Sequence, residues 1–86
     1  MNIPDNIVVD LRAAELACIA KNGECMSGYA LTYIKAVPMA MHEATNIGMS
    51  EKYGLKTQIL YVLGNLGWWH GEKARASKKV LKEYTS

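Results

Sequence analysis

Cys18, Cys25, His42 and His70 are the side chains of this sequence best suited to hold a metal ion or to act as nucleophile and base. A structural zinc site draws on four such ligands and brings some of them in as close pairs. No close pair exists here, and "HEATN" (His42 to Asn46) lacks the second histidine of the zinc-protease helix. Nothing beside either cysteine marks an activated thiol. The phosphate-cradling patterns GxxxxGK[ST] and GxGxxG do not occur. The residues therefore predict no enzyme, no metal and no cofactor, and the search moves to binding chemistry.

The densest set of binding residues is "GNLGWWHGEKAR", Gly64 to Arg75. On a helix, neighbours point about 100° apart, so Trp68 and Trp69 have different roles. Trp69 falls with Val62 and Leu66 on an apolar face and reads as core, and His70 falls on the same side as a buried histidine. Trp68 falls on the polar face, one heptad after Tyr61, with Asn65, Glu72 and Arg75 along the same strip. Aromatic faces stack on bases or fill a partner's pocket, and arginine forks onto phosphate or carboxylate. Tyr, Trp and Arg also dominate protein–protein hot spots. The strip Tyr61, Asn65, Trp68, Glu72 and Arg75 is thus the candidate binding surface, for another copy of the chain, a partner protein or a nucleotide.

A second constellation is "MSEKYGLKTQILYVL", Met49 to Leu63. It fits a helix-turn-helix with Gly54 at the turn, and Lys56, Thr57 and Gln58 would then open a DNA-reading helix. Against it, Ile59, Tyr61 and Val62 would face the groove, where polar residues belong. The basic run "KARASKKVLKEY" reads as the solvated face of a terminal helix, its lysines favoured by the helix dipole.

The elements that would position these residues are helical throughout. One helix spans about Asp5 to Lys21, with Asp5 as its N-cap and Asn22-Gly23 as its stop. "GECMSG" is a connector, and Ser27 caps a second segment from about Gly28 to Tyr53. That segment separates Thr32, Lys35, His42, Glu43, Asn46 and Ser50 from Tyr33, Ile34, Val37, Met41, Ala44 and Gly48, and Pro38 must bend or split it. A third segment, Leu55 to Tyr84, keeps Leu55, Ile59, Val62, Leu63, Leu66, Trp69, Ala74, Val80, Leu81 and Tyr84 on one face. Thr57, Asn65, Glu72, Arg75, Lys79 and Lys82 lie on the other. The unbroken phase favours one long helix, despite three glycines costing up to ~1 kcal/mol each. Gly64, Gly67 and Gly71 share a side, where a second helix could approach closely. A break near Gly67 to Gly71 is the rival.

The expected fold is one all-α domain over residues 1–86, a three-helix arrangement with a kinked second helix and a long C-terminal helix. At 86 residues, 50% of them hydrophobic, a monomer buries only about 60% of its unfolded surface, which favours a homo-oligomeric bundle. The N-terminus shows no signal peptide, and the longest apolar run, Ile59 to Leu63, is far short of the ~20 residues of a membrane span. The expectation is a cytoplasmic protein with no membrane contact. Residues 1–50 carry net charge −2 and residues 51–86 carry +4. A total of +2 is too small to argue nucleic-acid binding by itself.

The C-terminal third resembles the endings of small helical proteins of phages and prophages. Lys56, Thr57, Gln58, Leu60, Tyr61, Asn65, Leu66, Trp69, Gly71, Glu72, Ala74, Lys78, Leu81 and Lys82 carry the resemblance, and the chain departs from the pattern at Gly67-Trp68 and His70. The resemblance implies no catalytic activity. It implies a protein that acts by binding in the host cytoplasm, as an inhibitor of antiviral defence that captures a host protein or sequesters a nucleotide signal. The alternative expectation is the DNA-binding regulator.

Overall fold

The computed structural model describes residues 3–21 and 25–86, apart from the side chains of residues 25–28. Among the described residues five helices follow one another: α1 (Asp5–Lys21), α2 (Cys25–Lys35), α3 (Val37–Asn46), α4 (Glu51–Gly64) and α5 (Glu72–Thr85). No strand occurs among the described residues. The all-α expectation holds, with five helices where three were expected.

The carbonyl of Pro4 accepts from the amides of Ile7 and Val8 at 3.0 and 3.2 Å. Pro4 therefore occupies the cap position, and Asp5 is the first helical residue, its carboxylate suited to the positive end of the dipole. The expected stop at Asn22-Gly23 lies outside the described residues. Helix α2 starts at Cys25, three residues ahead of expectation, so Ser27 lies inside the helix and not at its cap. Pro38 splits the second segment as anticipated. Ala36 is the joint, and Pro38 sits in the first turn of α3, where a missing N–H costs nothing. Ile34, Val37, Met41 and Ala44 are buried, while Thr32, Lys35, His42, Glu43 and Asn46 are exposed.

The long C-terminal helix does not form. Helix α4 is capped by Ser50, whose hydroxyl accepts from the Tyr53 amide at 3.1 Å, and it runs from Glu51 through Gly54 to Gly64. Asn65 closes it, donating from Nδ2 to the Tyr61 carbonyl at 2.8 Å. Gly71, at φ 110°, opens α5. Three glycines and an asparagine within eight residues make the helical state costly there. Folding back repays that cost. A continuous helix over residues 55–84 would span ~45 Å at 1.5 Å per residue, beyond the 37 Å longest dimension of the molecule, and would carry Leu81 away from its core. Turned back, Leu81 packs with Leu55 and Ile59. Helices α4 and α5 thus both turn their apolar faces into one core.

Helix α4 is the centre, packed on α2, α3 and α5, while α1 packs on α2 and α5. One buried cluster joins Ile7, Leu11, Val37, Met41, Leu55, Ile59 and Leu81. A second joins Ala14, Cys18, Ala30, Ile34, Val62 and Leu66, with both tryptophans packed against it. The close helix approach expected at Gly64, Gly67 and Gly71 is not there: a Cβ at any of the three would meet nothing within 4 Å. It occurs at Gly54, where a Cβ would lie 2.6 Å from the Ala40 carbonyl oxygen and 2.9 Å from the Met41 Cα.

Candidate functional site

Helix α4 turns Tyr61 outward, 54% exposed. Its ring stacks on Tyr33 of α2, with centroids 5.5 Å apart and planes 22° from parallel. The two helices are held in this register from beneath. Gln58, buried one turn before Tyr61, donates from Nε2 to the Tyr33 carbonyl at 2.8 Å. That carbonyl lies in the last turn of α2, where intrahelical partners run out, so the buried amide satisfies an orphaned acceptor. Tyr29, one turn back along the same face of α2, is 65% exposed, and Leu60 beside Tyr61 is more than half exposed. Tyr29, Tyr33 and Tyr61 make an aromatic surface across α2 and α4.

The five residues expected on one strip separate. Tyr61 is at the surface. Asn65 is spent on capping α4. Trp68 lies in the α4–α5 connection, half-buried against the second core cluster, with the Lys21 ammonium 5.5 Å from its ring centroid. Its indole N–H is buried without a hydrogen-bond partner among the described residues. Glu72 and Arg75 are exposed on α5, where Arg75 shares a groove with Glu72, Ala76 and Lys79 and no aromatic ring lines it. The strip presupposed 100° per residue from Tyr61 to Arg75, and that rotation ends where the helix ends. For the same reason Trp68 joins Trp69 against the core, and His70 is exposed instead of buried.

The DNA-reading arrangement is not formed in the register read from the sequence. Gly54 is inside α4, and the turn between α3 and α4 is residues 47–50, with Gly48 at φ 83°. Gln58 is buried on Tyr33, the Thr57 hydroxyl donates to the Tyr53 carbonyl at 2.9 Å, and Lys56 lies 6.0 Å from the Tyr84 ring. The three side chains do not project together.

On α5 the basic residues divide between water and structure. Lys79 and Lys82 are exposed, as a solvated face requires. Lys78 instead donates from Nζ to the Trp69 carbonyl at 2.5 Å, tying α5 to the connection that precedes it. Partial burial, and then the neighbouring Lys82, draw its ammonium below the ordinary lysine pKa.

Cys18 is a free, buried thiol. Burial pushes its pKa up, the Glu15 carboxylate adds to the rise, and a hydrogen bond with its own backbone opposes it. Such a thiol is the opposite of an activated nucleophile. The side chain of Cys25 lies outside the described residues. Among the described residues no three of His, Cys, Asp and Glu come together to hold a metal, and no helix is long and apolar enough to cross a membrane.

No family model, no curated protein and no solved structure matches this chain. The reading of its site therefore rests on its own geometry. Tyr29 and Tyr33 are the surface residues that sequence reasoning missed. Their four-residue spacing, the spacing of same-face neighbours on a helix, was the available signal.

Proposed function

We propose that this chain is a small, non-catalytic binding protein that recognises a partner protein through the tyrosine surface of α2 and α4. The observation that carries the reading is the Tyr33–Tyr61 stack, extended along α2 by Tyr29 and supported by the Gln58 hydrogen bond to the Tyr33 carbonyl. Stacked tyrosines offer a large amphipathic contact area with few torsions to immobilise, which is why tyrosine is prominent in binding hot spots. A protein partner suits this surface better than a nucleotide does. The aromatic rings and the Arg75 guanidinium, which together would stack a base and hold its phosphate, are not in one groove. The phage-type setting, with the partner a component of host defence, is part of the proposal and rests on the resemblance of the C-terminal third.

The test compares wild type with Tyr61→Ala as baits in host lysate, followed by titration of the purified captured protein. Loss of a hot-spot tyrosine costs ~2 kcal/mol or more, so affinity should fall at least ~30-fold, with helix content unchanged by circular dichroism. A calorimetric screen of linear and cyclic nucleotides runs in parallel. Tight nucleotide binding without a protein partner, or equal capture by both baits, sinks the reading.

A further inference from the structure

Helix α1 is apolar on two sides. One side enters the core through Ile7, Leu11, Ala14 and Cys18. The other exposes Val8, Val9, Leu16 and Ile19, at 43, 70, 48 and 52%. Helix α5 is the contrast: apart from Ala76, its outward residues Glu72, Lys73, Arg75, Lys79, Lys82 and Glu83 are charged. A helix that is hydrophobic all round normally has cover on both sides, and α1 has it on one.

The spacing on the outer side says what fits. Val8, Arg12, Glu15 and Ile19 follow one another at intervals of four, three and four, the spacing of a two-stranded coiled-coil seam, here with apolar residues at the ends and the exposed Arg12 and half-buried Glu15 at the centre. The seam is symmetric about a point between Ala13 and Ala14. Val8 and Ile19 are equidistant from that point, and so are Arg12 and Glu15. A second copy laid antiparallel sets Val8 against Ile19 at both ends and Arg12 against Glu15 twice at the centre. A parallel copy sets Arg12 against Arg12 and Glu15 against Glu15. Within one chain Arg12 and Glu15 already pair along the helix, and the antiparallel arrangement extends that pair into a four-residue network. The seam residues Val8, Arg12 and Glu15, with Leu11, themselves form one wall of an open groove of about 400 Å³, whose far side includes Ile34, Lys35 and Pro38. An incoming α1, with Asp5, Asp10 and Glu15 against Arg12 and Lys21, suits the cation on that far side.

We infer that the chain self-associates as an antiparallel dimer through the Val8–Arg12–Glu15–Ile19 seam of α1. The apolar ends supply the burial, and the charged centre fixes direction and register. The tyrosine surface lies on other helices and shares no residue with the seam, so variants of the two can be tested separately.

Sedimentation velocity at micromolar concentration should give twice the 9.5 kDa chain mass. Four single variants, V8E, I19K, R12E and E15R, should each weaken association at least ~10-fold by setting like or unpaired charges across the seam, with circular dichroism unchanged in V8E, I19K and R12E, whose sites are exposed, and recorded for E15R, whose site is half-buried. Mixing R12E with E15R in equal amounts should restore a dimer, although neither chain retains its internal Arg–Glu pair. Mixing V8E with I19K should do the same, since only an antiparallel pair brings those positions together. A wild-type monomer throughout the micromolar range overturns the inference. So does a dimer indifferent to all four substitutions, or a V8E and I19K mixture that stays monomeric.

Discussion

The α3–α4 crossing and the α4–α5 junction both turn on glycine, and they use it in opposite ways. At the crossing, Gly54 lies in mid-helix and is buried beneath the Ala40 carbonyl, with Ala44 and Met41 closing around it. Its lack of a side chain lets two backbones meet, and the helix continues through it. At the junction, Gly64, Gly67 and Gly71 have open space around the place a Cβ would occupy, and the helix stops. Helix propensity treats the two regions alike. What separates them is the packing energy available. Closing α4 on α3 aligns Leu55 and Ile59 with Met41 in one core, which outweighs a single helical glycine at about 1 kcal/mol. No neighbour waits beside Gly64 or Gly67 to reward a straight helix.

Substitution can sharpen or break this contrast. Gly54→Leu should have the largest effect, ~3 kcal/mol or more of lost stability, because the atoms in the way belong largely to the backbone of α3 and cannot swing aside. For a domain of this size each kcal/mol lowers the melting temperature by roughly 4–8 °C, so thermal unfolding reads it directly. Gly71→Ala should come next, at ~1–3 kcal/mol. Its φ of 110° and ψ of 175° belong to a region essentially reserved for glycine, while the surrounding space is open. Gly64→Ala should have the smallest effect and the opposite sign. The position is helical, at negative φ, with room for a methyl group, so a few tenths to ~1 kcal/mol of stabilisation is expected in urea titration. Were Gly64→Ala as damaging as a substitution at Gly54, the division between a packing glycine and a terminating cluster would collapse.

The faces of the helices were readable before any fold was known. Apart from His70, which is exposed, the residues assigned to the apolar side of the 55–84 segment are buried or half-buried, including Ala74, Leu81 and Tyr84, eight or more residues past the break. Pro38 announced the division of the second segment, since its ring and missing N–H act through the local chain alone. The candidate site was less legible. Tyr61 alone of the five strip residues lies on the aromatic surface. Trp68 sits against the core because the chain leaves the helix four residues earlier. Tyr33 is recruited because Gln58 draws α2 onto α4, a contact between residues 25 positions apart that no local pattern encodes.

Sequence periodicity by itself determined the helical class and most of the inward faces, because both follow from the fixed rotation of a helix about its own axis. The tertiary structure decided how many helices there are, which glycine is a contact and which side chains meet at the surface. Those outcomes turn on free-energy differences of about 1–3 kcal/mol between continuing a helix and folding it back. Such differences are settled by what the chain finds to pack against, and that is a property of the whole fold.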